Sequence, residues 1–195
     1  MKALVQSDLM NILEYEKVRD EYRKEMIEYK KHRRIELGPY VTITFENRKT
    51  IKFHIQEMMR TERMVQAHQI QSELDIYNPL LPKKNGLSAT LFIEIRDAAN
   101  IRPILNQFIG LTTGKTILIG KGDLKIFAQF EEGREEEDRI SAVHYIQFHF
   151  SESEIISFLD EDQPVELIIN YNEYNYNVIL PSKMIDSIYE DLIVI

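Results

Sequence analysis

VTITFENRKTIKFHI, Val41 to Ile55, alternates apolar and polar residues on both sides of a short polar break. Val41, Ile43 and Phe45 alternate with Thr42, Thr44 and Glu46. Ile51, Phe53 and Ile55 alternate with Lys52, His54 and Gln56. A period of two is the signature of a half-buried strand. A loop at Asn47-Arg48-Lys49 would pair Phe45 with Ile51, Ile43 with Phe53 and Val41 with Ile55. All of these apolar residues then share one face, so the stretch predicts a β-hairpin.

Upstream, Ile12, Tyr15, Val18, Tyr22, Met26 and Tyr29 recur at steps of three or four. This predicts one long helix from Ser7, as N-cap, to about Arg33. The run Lys30-Lys31-His32-Arg33-Arg34 would sit in its last turn, at the negative end of the helix dipole. Gly38-Pro39 would stop it. Downstream of the hairpin a helix is expected over 56–77, and then a strand over 88–96. A short helix is expected over 98–108, with strands near 115–119, 124–131 and 140–150. Ser151 with Glu154 has capping-box spacing before a short helix. VELIINYNEYNYNVIL reads as a second hairpin, with Asn172-Glu173 as its loop, Tyr171 opposite Tyr174 and Ile169 opposite Tyr176. Pro181 opens a last helix. Hairpins with helices set apart from them predict an α+β fold, mostly antiparallel, with a long N-terminal helix. The chain reads as one domain over 1–195. A sub-division near 78–87 would set a helix–hairpin–helix part apart from a C-terminal α+β part.

IGLTTGKTILIG, Ile109 to Gly120, has the outline of a phosphate-binding loop, but the spacing is wrong. Gly110 and Gly114 enclose three residues where the pattern needs four. The context is helix–loop–strand, the reverse of the strand–loop–helix order that aims a helix N-terminus at phosphate. A helix cap at Gly110 is the simpler reading.

Composition narrows the chemistry. With 44% apolar and 29% charged residues the chain resembles an ordinary soluble protein. It has no cysteine, which excludes disulfides, thiolate metal sites, iron–sulfur clusters and a thiol nucleophile. No apolar run approaches the ~18 residues of a membrane span, and the N-terminus lacks a signal-peptide pattern. A cytoplasmic location is expected. The net charge is −8, with a mildly basic N-terminal third and an acidic remainder, which disfavours broad nucleic-acid binding.

His32, His54, His68, His144 and His149 form neither H-x-H nor H-E-x-x-H, and no Glu-x-x-His occurs. Neither a metal site nor a resident cofactor is expected. His144 shares the parity of Ile146, Phe148 and Phe150, which suggests a half-buried structural histidine. EEGREEEDR, Glu131 to Arg139, reads as a solvated acidic loop; the alternative is that Arg134 and Arg139 neutralise its acids and hold its shape. The densest polar stretch beside apolar positions is FENRKTIKFHIQEMMRTER. Glu46, Arg48, Glu57, Glu62 and Arg63 form its candidate corner, either an ion-pair network or a binding site. Arg48 and Arg63 are expected to matter more there than Lys49 and Lys52, because a guanidinium can fork onto a carboxylate.

KKHRRIELG, FENRKTIKFHIQEMMRTER, LSATLFIEI and FEEGREEEDRISAVHYIQF together resemble an uncharacterised bacterial family, domain of unknown function 3501 (DUF3501). The resemblance runs from LEYEKVRDEYRKE to PSKMIDSIYEDL, nearly the whole chain. It brings no established reaction. It implies an accessory role in redox or peroxide defence, since genes of the family lie beside ones for rubrerythrin-like proteins and iron–sulfur oxidoreductases. Two readings follow. One is a non-catalytic binding or adaptor protein that docks on such an oxidoreductase. The other is an enzyme acting on a small molecule through Glu46, Arg48, Glu57 and Arg63.

Overall fold

The Val41–Ile55 stretch divides at Asn47, and its second half is helical. In the computed structural model, which describes residues 1–131, 135–136, 139–160 and 163–193, strand β2 is Val41–Glu46 and helix α2 is Arg48–Thr61. The Asn47 side chain accepts from Lys49 N at 3.0 Å and Thr50 N at 3.2 Å, while Thr50 Oγ1 accepts from Asn47 N at 2.9 Å. This reciprocal cap starts a helix where a hairpin turn was expected. Ile51, Ile55 and Met59, one turn apart, are buried on one helical face. Over five residues the two periods are indistinguishable; Met59 decides between them.

The real hairpin partner of β2 lies before it. Strand β1, Arg34–Leu37, pairs antiparallel with β2, Ile35 opposite Ile43 and Leu37 opposite Val41. Helix α1 is Ile12–Lys31, capped by Asn11 rather than Ser7. Arg33 and Arg34 therefore belong to the strand entry and not to a helix end. The helix expected over 56–77 breaks into α2 and α3, Ala67–Tyr77. Between them Arg63, at φ 51°, occupies the left-handed position of a helix stop. Met64 N reaches Met59 O at 2.8 Å and Arg63 N reaches Arg60 O at 3.3 Å, the paired bonds of a Schellman motif.

The remaining elements follow the sequence more closely, except that Glu135, Glu136 and Arg139, expected in an acidic loop, belong to two short paired strands. They are β3 Gly86–Ile93, α4 Ile101–Asn106, β4 Ile117–Lys121, β5 Leu124–Phe130, β6 Glu135–Glu136, β7 Arg139–Ile140, β8 Val143–His149, α5 Glu152–Leu159, β9 Glu166–Tyr171, β10 Tyr174–Ile179 and α6 Ser182–Ile193. The Ser151–Glu154 capping box and the β9–β10 register, Tyr171 opposite Tyr174, are as expected. Gly110, at φ 93°, lies in the turns between α4 and β4, so the Gly-rich stretch runs helix–loop–strand. Among the described residues no helix is long and apolar enough to cross a membrane.

An eight-stranded antiparallel sheet has the order β1-β2-β3-β8-β5-β4-β9-β10, so the fold is α+β. β3, which begins at the end of the 78–87 stretch, pairs with β2, which precedes it. The sheet curls until its end strands touch. Its inner face carries Ile43, Phe45, Leu91, Ile119, Ile146, Phe148 and Leu167, and α6 adds Met184, Ile188 and Leu192 to that core. A second, smaller core of Ile51, Ile55, Met59, Leu74, Leu80 and Leu81 lies under α2 and α3.

Tyr174 closes the gap between β1 and β10. Its hydroxyl accepts from Tyr40 N and Val41 N, both at 3.0 Å, and donates to Leu37 O at 2.8 Å. Gly38, at φ 81°, is required there, because a Cβ would lie 2.6 Å from that hydroxyl.

Arg33 is fully buried where α1, β2 and α6 meet. Its guanidinium donates to Phe45 O at 2.8 Å, Ser187 O at 2.9 Å, Ser187 Oγ at 3.0 Å and Tyr29 Oη at 3.3 Å, and forms an ion pair with Asp191. The Asn47 amide donates to Asp191 Oδ1 at 3.0 Å and to Tyr29 Oη at 2.7 Å. Burial pushes the Asp191 carboxyl above its usual range, while the Arg33 charge and the Asn47 amide oppose that shift.

Three expectations follow for denaturant unfolding. Asp191→Ala strands the buried guanidinium and should cost about 3–5 kcal/mol. Glu28→Ala, which breaks only the exposed Lys31–Glu28 pair at 2.6 Å, should cost ~0–1 kcal/mol; equal losses would refute the central role of Arg33. Arg63→Gly should raise stability by roughly 1 kcal/mol, since glycine enters the left-handed region without steric strain. A loss there would mean that the Arg63 side chain makes a stabilising contact.

Candidate functional site

The candidate corner does not assemble as one site. Arg48 opens α2 and turns to the N-terminal segment, bonding Asp8 Oδ2 at 2.6 Å and Lys2 O at 3.2 Å. Glu57 lies on the α2 face toward α1. It accepts from Tyr15 Oη at 2.6 Å and from Arg19 Nε and Nη2 at 2.9 and 2.8 Å. The Arg19 guanidinium holds its carboxyl below the usual range. Glu62 and Arg63 are exposed at the α2 stop and form no ion pair among the described residues. Lys49, expected to matter less than Arg63, places its ammonium 4.3 Å from the Tyr29 ring centre. The ion pairs of this region are real, but their partners come from the segment before α1, for Arg48, and from α1 itself, for Glu57. Glu46 points elsewhere.

His144 is buried on the core face of β8. Its Nε2 lies 2.7 Å from Ser141 O, and its ring meets Phe130 edge-on. Arg139 is exposed on β7. Arg134 lies outside the described residues. Among the described residues no group of three or more His, Cys, Asp or Glu is placed to hold a metal ion.

Two other places have organised chemistry. The first is a cavity of 360 Å³ between the helices and the outer sheet face, lined by Glu46, Thr90 and Phe92 from the sheet and by Lys30, His54 and Tyr77 from the helices. Glu46 is 8% exposed, and Thr90 Oγ1 donates to its Oε1 at 2.9 Å. The His54 ring lies 4.5 Å from that of Tyr77, and its Nε2 is buried with no hydrogen-bond partner. Burial lowers the pKa of His54; Lys30 adds to this and Glu46 opposes it. Sequence reading noted Glu46 but not His54, Lys30 or Thr90 as its neighbours. Their proximity depends on α2 being helical and lying across the sheet.

The second is the free edge of β10. Leu180 N bonds Val165 O at 2.8 Å, which fixes the parity of the β9–β10 ladder. Tyr174, Tyr176 and Val178 therefore bond β9, and the N–H groups of Asn175, Asn177 and Ile179 point off the sheet. Tyr174 stacks on Tyr40 at 6.3 Å and packs on Tyr176 at 4.6 Å. Tyr176 and Ile179 are 41% and 58% exposed. β10 carries no charge. The opposite edge, β1, carries Arg34 and Glu36 beside an open groove with Glu94, Arg96 and Asp97.

Comparisons place this architecture. The chain is similar to a crystal structure, at 1.90 Å, of a novel protein of unknown function from Burkholderia pseudomallei K96243. The TM-score is 0.89 at 26% identity, covering 98% of this chain and 100% of that one. No curated protein matches. A family model, described as protein of unknown function (DUF3501), matches residues 3–192. The chain therefore belongs to the DUF3501 family.

Proposed function

We propose that this protein is a non-catalytic binding or adaptor protein, and that an extended segment of its partner adds to the sheet along β10. The observation that carries this reading is the asymmetry of the two sheet edges. Exposed edges offer unpaired N–H and C=O groups to any passing strand, and proteins ordinarily blunt them with charge. β1 is blunted in this way. β10 is uncharged, exposed and centred on a tyrosine cluster, which suits strand addition with aromatic side-chain pockets.

The family resemblance supplies the partner class, an oxidoreductase of the rubrerythrin-like or iron–sulfur kind, acting in redox or peroxide defence in the cytoplasm. The alternative, an enzyme using the Glu/Arg corner, loses support because Arg48 and Glu57 are each engaged by the N-terminal segments, away from Glu46.

Asn177→Pro tests the docking mode. It removes an N–H that points away from β9, so the β9–β10 ladder should survive and the melting temperature should change little. Affinity purification at native expression, with mass spectrometry, should recover an oxidoreductase of this class with wild type. Recovery should fall at least about tenfold with Asn177→Pro, as expected for a lost main-chain pairing in an interface. Equal recovery by both proteins would refute docking on β10. Recovery of no oxidoreductase by wild type would refute the partner class.

A further inference from the structure

The cavity between the helical layer and the outer sheet face contains a charge without a counter-charge. The Glu46 side chain is almost fully buried and receives one hydrogen bond, from Thr90. Among the described residues no Lys, Arg or His forms an ion pair with it. A buried carboxylate in that condition is costly, because it has given up water without gaining a cation. Lys30 lines the same cavity, half-buried, with its ammonium 5.7 Å from the Phe53 ring centre and no carboxylate partner among the described residues. The anion of Glu46 and the cation of Lys30 thus line one space without meeting. The rest of the lining includes the apolar side chains of Ile51, Leu80, Phe92 and Val143.

We propose that this cavity binds a small amino-acid zwitterion with an apolar side chain, its ammonium on Glu46 and its carboxylate on Lys30. Each end of such a ligand supplies the counter-charge that a protein group lacks. The apolar walls take the side chain. The volume of 360 Å³ is near the lower end of ligand pockets, which run from about 300 to 1,000 Å³, and suits a small ligand. His54, whose buried Nε2 lacks a partner, can exchange a hydrogen bond with the ligand. A lone cation would meet the repulsion of Lys30, and a lone anion that of Glu46.

Calorimetry on the dialysed full-length chain tests this with L-leucine and L-phenylalanine. Isoamylamine, which lacks the carboxylate, and isocaproate, which lacks the ammonium, serve as controls. One of the amino acids should bind, and each control should bind at least about tenfold more weakly, as should either amino acid to Glu46→Gln or Lys30→Met. Without ligand, Glu46→Gln should melt at or above the wild-type temperature, because it removes an uncompensated buried charge. No binding by either amino acid overturns the proposal. So does matched destabilisation by Glu46→Gln and Lys30→Met with a non-additive double mutant, which would mean that Lys30 itself neutralises Glu46. Asn177→Pro should bind the amino acid as wild type does, so a failure here and a failure of strand docking remain separable.

Discussion

The structure depends on a single buried guanidinium. Arg33 lies at the point where the chain leaves α1 and enters β1, and its N–H groups are used by β2, α6 and the side chain of Tyr29. Because an arginine stays charged inside a protein, the carboxylate of Asp191 must come to it. That fixes α6 against the start of the sheet, 158 positions away in sequence. Asn47 uses its amide on Asp191 and Tyr29 and its carbonyl oxygen on the first turn of α2. The same residue therefore starts α2 and completes the ion-pair shell. Long-range register and a local helix start are set together.

At the other end of β1 the fold uses a hydroxyl instead of an ion pair. Tyr174 satisfies groups at the mouth of the β1–β2 hairpin that would otherwise be left unpaired at the seam. It can do so because Gly38 leaves room for it. The sheet is thus joined at one corner by a side chain and not by a full ladder of backbone bonds. Closure by a ladder would have removed both edges. Closure at one corner leaves β10 with unpaired backbone groups along its length.

These two contacts also explain what could be read in advance. The β9–β10 hairpin was legible because its loop length sets which residues face each other, a local matter. The Ser151–Glu154 cap was legible for the same reason. The 41–55 stretch was not, because Ile51, Phe53 and Ile55 fit a strand and a helix alike. Asn47 with Thr50 was the available signal for a helix start, and Met59, one turn beyond Ile55, was the signal for its period. β1 was hidden because Arg33 looked like one more cation in a basic helix end, when it is fully buried. Glu46 could be named from sequence; its neighbours could not. Lys30, Thr90 and Tyr145 reach the same cavity from elements far apart in the chain.

The location of that cavity has a physical cause. Thr42, Thr44, Glu46, Ser88 and Thr90 alternate with core residues on β2 and β3, so they face outward, yet all are buried. An outward sheet face of this kind is normally solvated. Here the helices cover it, and the apolar residues of α2 and α3 gather in a separate cluster around Ile51, Ile55 and Leu74. A polar sheet face under an apolar helical layer packs imperfectly, since each unmatched polar atom resists close contact with carbon. Thr44 Oγ1 and His54 Nε2, buried and unpartnered, mark that mismatch. Unmatched buried polarity of this sort weakens a fold without adding to its core, and residues that break the local rules in this way are expected where a protein binds something. The covered polar face therefore holds the unmatched polarity on which the proposed ligand site rests.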